Sequence, residues 1–237
     1  MTKVCIIQAD NRPTLNYLLL TSKVNKEFCK VHGYDYLFIP IHNNEYTHLH
    51  PATKKIHIIN DLLNTSTYDI IVFLDSDAWI QNGSWLKDII TQLSEDQFKQ
   101  GAFSRDPYFE VNTFINSGSF IIKNNDYTKQ MYSNIITQLN TNLEYHTKWP
   151  YDQFYISNFI DQNKDNFIIF VPDMLNTPIG KVLRHNWLKN KKMYIDLNKI
   201  LTNQYYFLIK DEKINLEKYI DSQPFPNTKK DGYNYFE

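Results

Sequence analysis

Asp75 and Asp77 stand two apart, directly after the apolar run Ile70-Ile71-Val72-Phe73-Leu74. If the chain stays extended through them, both carboxylates lie on one side of the strand and can share a hard divalent cation. With 18 aspartates in the chain, chance produces about one such triplet, so the spacing alone decides little. Position says more, because the carboxyl end of a buried parallel strand opens the crevice in which α/β folds bind ligands. An imidazole joining two carboxylates suits Mn²⁺ and leaves positions for phosphate oxygens, and His185 is the best third ligand among the seven histidines. His48 and His50 also have strand-like ligand spacing, but in a polar loop with only Glu45 near them.

The elements that must position these residues alternate between two periods. Lys3 to Ala9 predicts a buried strand, broken by Asp10-Asn11-Arg12-Pro13; Thr14 then caps a helix that Gly33 stops. Tyr34 to Ile39 predicts a second strand and Pro51 to Leu63 a second helix. Asp69 to Leu74 predicts a third strand, continuously apolar from Ile70 on, as a central strand covered on both faces would be. Further helices are expected near Ser84 to Leu93, Asp126 to Leu139 and Trp149 to Ile160, and further strands at 101–104, 114–122 and 167–171. The stretch 172–190 reads as irregular and basic, and the segment from Gln223 as a tail or flap.

A chain of 237 residues, 42% hydrophobic, can bury one full α/β core. No repeat or low-complexity linker marks a second domain, so residues 1–222 are expected to form one unit with 223–237 appended. The 25 basic and 26 acidic side chains nearly cancel, which gives no basic field for a nucleic acid. The apolar run near the N-terminus is too short for a signal peptide or a membrane span, so a cytoplasmic location is expected. Cys5 and Cys29 suit two buried free thiols.

At VFLDSDAWIQN the chain resembles the GT-A-fold family of galactosyl-, xylosyl- and mannosyltransferases, whose core reads apolar residues, Asp-x-Asp-Ala, an apolar residue and Asn. NKEFCKVHGYDY and PATKKIHIINDLL resemble that family's segments before the motif. FINSGSFIIKNNDY, WPYDQFYI and DMLNTP resemble those after it, in family order. Two departures stand out: the family's N-terminal anchor and stem have no counterpart, and its His-Phe-x-Gly appears as His185-Asn186-Trp187-Leu188. The resemblance implies a single GT-A domain with a Rossmann-like mixed, mainly parallel sheet flanked by helices. It implies transfer of a hexose or pentose from a nucleotide sugar, UDP-linked before GDP-linked, to a glycan or glycoprotein acceptor, with Mn²⁺ or Mg²⁺ and with retention of configuration.

Within that reading each candidate residue has a role. Gln8, Ala9, Asp10, Asn11 and Arg12 would meet the base and ribose, with Ser76 beside them. Lys54 or Lys55, and Lys181 or Lys189, would neutralise phosphate oxygens. At Asn116-Ser117-Gly118 the glycine would let a sugar approach the backbone, unless it marks a bulge. Asp152 and Gln153 would orient sugar hydroxyls, and Tyr108 and Phe109 could stack on sugar rings. Two other readings stay open. A haloacid-dehalogenase-type phosphatase would use Asp75 as nucleophile and Asp77 as general acid, although Trp79 replaces the usual Thr or Val. A non-catalytic sugar-binding protein could share the fold.

Overall fold

The structure, a computed structural model, describes residues 2–107, 114–187, 192–202 and 215–220. Strand β1 (Val4–Asp10) leads into helix α1 (Asn16–His32), then β2 (Asp35–Pro40), α2 (Pro51–Thr65) and β3 (Ile70–Leu74). After it come β4 (Ala78–Ile80), α3 (Gly83–Glu95), β5 (Gly101–Arg105), β6 (Ile115–Lys123) and α4 (Asp126–Thr141). The chain continues through α5 (Asp152–Gln162), β7 (Phe167–Phe170), α6 (Pro172–Leu175), β8 (Leu183–His185) and α7 (Lys192–Thr202).

Six strands form a mixed sheet in the order β2-β1-β3-β6-β5-β7. β1 pairs in parallel with β2 and β3, and β5 with β7, whereas β6 runs antiparallel between β3 and β5. Alternate side chains leave opposite faces of a strand, so the sheet separates two cores. Ile6, Val72 and Leu74 pack with Val24 and Phe28 of α1 and Leu86 and Ile89 of α3. Ile7, Ile71 and Phe73 pack on the other face with Ile56 and Ile59 of α2, Ile135 of α4 and Ile156 of α5. This α/β layering agrees with the expected GT-A arrangement. Cys5 and Cys29 are buried free thiols, and burial pushes both up to about 12.

Local signals placed most boundaries. Gly33 ends α1 in the left-handed region at φ 69°, where a side chain would be strained. Pro51 opens α2, where its missing N–H costs nothing. Two helix starts are shifted by local geometry. The cap of α1 is Leu15, with no side-chain cap bond, because the turn closed by Leu15 N–H to Arg12 O moves the first helical residue past Thr14. Helix α5 starts at Asp152 rather than Trp149, after Tyr151 adopts a positive φ of 56° that no helix contains. Within 172–190, expected as irregular, α6 and β8 form, and β8 pairs antiparallel with β4. Three residues of strand carry too little alternation to be visible in sequence.

Candidate active site

Asp75 and Asp77 meet through a turn and not through extended chain. Ala78 N–H donates to Asp75 O at 2.9 Å, so the backbone reverses between the carboxylates and both project on the cleft side. The β4–β8 register sets Ala78 opposite His185, which brings the imidazole of a distant segment over that turn. His185 Nε2 lies 3.2 Å from Asp77 Oδ1 and 3.6 Å from Asp75 Oδ2. Among the described residues, these three are the group whose ligand atoms lie close enough, within 4.8 Å of one another, to hold a cation.

The other ring nitrogen settles which face of His185 is offered. Nδ1 lies 3.2 Å from Asn116 Oδ1, which also accepts from Gly118 N–H at 2.9 Å. A backbone N–H can only donate, so this atom is the amide oxygen, and Nδ1 must carry the proton. Neutral His185 therefore presents the Nε2 lone pair toward the two carboxylates, as a metal-ligating histidine does. Burial lowers the affinity of the ring for a second proton, but Asp77 and then Asp75 outweigh it and the pKa is raised. A cation would displace that proton.

Gly118 has a different task from the expected one. A Cβ built there would fall 1.9 Å from His185 Cε1, so the space beside the backbone is filled by the imidazole. We expect Gly118→Ala to displace His185 and to weaken Mn²⁺ binding by roughly the ten- to hundredfold typical of a misoriented ligand. Calorimetric titration of the variant against the wild type checks this; equal affinities would show that the ring shifts without cost.

Behind the carboxylates lies a buried ionic layer. Lys55 Nζ sits 3.0 Å from Asp75 Oδ1 and 3.1 Å from Asp152 Oδ2, donates to Ser117 O at 3.3 Å, and lies over the Phe73 ring. Burial would lower its pKa, yet Asp152 and Asp75 raise it, so the ammonium stays charged. Burial pushes Asp152 up to about 6 against the pull of Lys55. Gln153 Oε1 accepts from Ser117 N–H at 3.3 Å, and its Nε2 donates to Asp106 Oδ2 at 2.9 Å. Asn116 Nδ2 donates to the same Asp106 oxygen at 3.0 Å. Asp152, Gln153, Asn116 and Ser117 thus brace β6 and Lys55 behind the ligands. Asp106, which sequence reasoning passed over, joins two of these braces; its signal was a carboxylate following β5 as Asp75 follows β3.

A cleft of about 210 Å³ opens in front of the ligands. Ala9, Asp10, Asn11 and Arg12 line it with Lys55, Asp75, Ser76, Asp77 and His185. Tyr17, not singled out by sequence, lines it as well. Arg12 folds back on Asp10, its Nε 3.0 Å from Asp10 Oδ1. His50, weighed as a metal ligand, instead accepts from Ala52 N–H at the start of α2 and stacks on Tyr151. Gln8, Lys54 and Lys181 are elsewhere. Gln8 is fully buried with its amide turned inward, and Lys54 donates to His42 O on the wall of a second cleft between β2 and α2. Lys181 is not among the residues lining the cleft; its Nζ lies over the Tyr219 ring. Lys189, Tyr108, Phe109 and the tail from Gln223 lie outside the described residues.

No helix among the described residues is long and apolar enough to cross a membrane. No curated protein matches the chain. The fold is similar to that of a glycosyltransferase involved in the glycosylation of the major capsid of PBCV-1, with a TM-score of 0.64 at 14% identity over 85% of this chain and 100% of that one. It is also similar to apo GlyE of Streptococcus pneumoniae TIGR4, with a TM-score of 0.54 at 13% identity, and there it spans only 62% of the neighbour's length. The family model that matches is described as glycosyl transferase family 2, not the galactosyl/xylosyl/mannosyltransferase family that the motif order resembles. That match covers residues 21–170, from α1 through the aspartate turn to β7, and with it the chain belongs to glycosyl transferase family 2.

Proposed function

We propose that this protein transfers a hexose or pentose from a nucleotide sugar, UDP-linked before GDP-linked, to a hydroxyl of a glycan or glycoprotein acceptor. The observation that carries this reading is the convergence of Asp75, Asp77 and His185 on the floor of a cleft whose other wall is the turn after β1. Two carboxylates and one oriented imidazole fit Mn²⁺ or Mg²⁺. Such an ion supplies the positive charge that a departing diphosphate requires. Asp10, Asn11 and Arg12, which line that cleft, would meet base and ribose, with Ser76 beside them.

Asp152 and Gln153 act by holding the wall against which the sugar lies, through Lys55 and Ser117. Their engagement fits retention of configuration. An inverting reaction needs a carboxylate free to take the acceptor proton, and among the described residues neither Asp152, buried against Lys55, nor Asp106, which takes both the Asn116 and Gln153 amides, offers one. We place the reaction in the cytoplasm, where buried free thiols such as Cys5 and Cys29 stay reduced. The family match does not favour the phosphatase alternative.

Incubation with Mn²⁺ and a panel of UDP- and GDP-sugars is expected to release nucleoside diphosphate from one donor, and a chelator to stop it. NMR of the product is expected to show the donor's anomeric configuration. Release that ignores the chelator, or phosphate release from a simple monoester, would overturn the reading.

A further inference from the structure

The turn bearing Asp75 and Asp77 is gripped from the side opposite the cleft. Gln8 of β1 and Thr21 and Asn25 of α1 are each fully buried, among apolar neighbours that include Val24, Phe28 and Leu74. Their polar atoms converge on one stretch of backbone. Gln8 Nε2 donates to Asp75 O at 3.0 Å and to Ala78 O at 3.3 Å, while its Oε1 accepts from Tyr36 Oη–H at 2.8 Å. Thr21 Oγ1 lies 2.8 Å from Ser76 O and accepts from Gln8 Nε2 at 3.3 Å. Asn25 clamps the start of β4, donating to Ala78 O at 3.3 Å and accepting from Ile80 N–H at 3.0 Å.

Polar groups inside an apolar core cost stability unless each finds its partner. Here the partners are the carbonyls of the ligand turn itself, which face inward so that the two carboxylates face outward. We infer that Gln8, Thr21 and Asn25 are positioning residues for the cation site, acting through backbone 75–80 to fix the angle at which Asp75 and Asp77 meet His185. Gln8 also couples the cleft's two walls, because it is part of the strand that leads into Ala9 to Arg12. The inference rests on the metal-binding reading above and replaces the expected contact of Gln8 with nucleotide.

The test is Mn²⁺ affinity of the full chain without donor, read from the loss of the free-ion electron paramagnetic resonance signal. Wild type against Asp77→Asn comes first: equal affinity there sinks the metal reading itself, whatever the trio does. Given a difference, Thr21→Val, which keeps the shape and removes the hydroxyl, is expected to bind roughly ten- to hundredfold more weakly. Thr21→Ser is expected to bind as the wild type does. Ile135→Val, in the core on the other face of the sheet, controls for general destabilisation and is expected to leave affinity unchanged. If Thr21→Val fails to fold, Asn25→Asp, which retains the acceptor for Ile80 N–H and loses the donor, carries the same expectation. Wild-type affinity in the Thr21 or Asn25 variant, or an equal loss in Ile135→Val, would overturn the inference.

Discussion

Asp77→Asn is expected to abolish metal-dependent binding of a nucleoside diphosphate while leaving the domain folded. The two carboxylates are not equivalent. Asp75 is already matched by the Lys55 ammonium at 3.0 Å, whereas the partner of Asp77 in the cluster is His185, at 3.2 Å. The negative charge that remains to attract a cation is therefore mainly that of Asp77. An amide of the same shape keeps one oxygen and loses the charge, so the effect should exceed the roughly 10- to 100-fold cost of disturbing an outer-shell partner. Stability should change little, since the Asp77 side chain is 26% exposed and its removal relieves repulsion from Asp75. Calorimetry with Mn²⁺ and UDP or GDP, paired with a melting curve, checks both halves. Unchanged affinity would remove Asp77 from the site.

Lys55→Met is expected to destabilise the fold by about 3–5 kcal/mol, the usual cost of stranding the partners of a buried charge. That is a large share of a domain's typical total of about 5–15 kcal/mol. With the ammonium gone, Asp152 has no cation at 3.1 Å and Asp75 loses its neighbour. The loss should depend on pH, and the sign follows from Asp152. Its folded pKa is already raised, to about 6, above its ordinary value of 3.8, and removal of Lys55 raises it further. A carboxyl with a raised folded pKa favours the native state at low pH and loses that contribution as pH rises through the folded value. The variant should therefore be closest to wild type near pH 4–5 and weakest near pH 8. Adding Asp152→Asn should recover part of the loss at high pH. Urea unfolding of the three proteins at both ends of that range would show it, and a pH-independent loss would mean that packing of the lysine stem dominates.

Much of the frame was legible in the chain. Apolar runs marked β1 and β3, and the switch to helical spacing marked α1 and α2, because burial on one or both faces writes its period into consecutive residues. The Asp pair at the end of β3 and the polar turn after β1 could be read for the same reason: each follows a recognisable element. His185 stood in a stretch that read as irregular, and only its ligand chemistry pointed to it. Less visible was the direction in which individual side chains point. Gln8 and Lys54 looked like cleft residues and face elsewhere, since adjacent positions on a strand or helix address different surroundings. Tyr17 carried no pattern of its own, and the only signal of Asp106 was its place directly after β5.

By itself, then, the sequence determined the α/β layering, the order of the segments and the chemistry on offer at the end of β3. Only the tertiary structure decided how those groups meet. The distance between Asp77 and His185 depends on the register of β4 against β8, and the clearance for the imidazole depends on Gly118 in β6. The charge left on Asp75 depends on Lys55 reaching across from α2. Each is a relation between segments far apart in the chain, and local periodicity, which reflects only what a segment buries, carries no record of which partner supplies the cover.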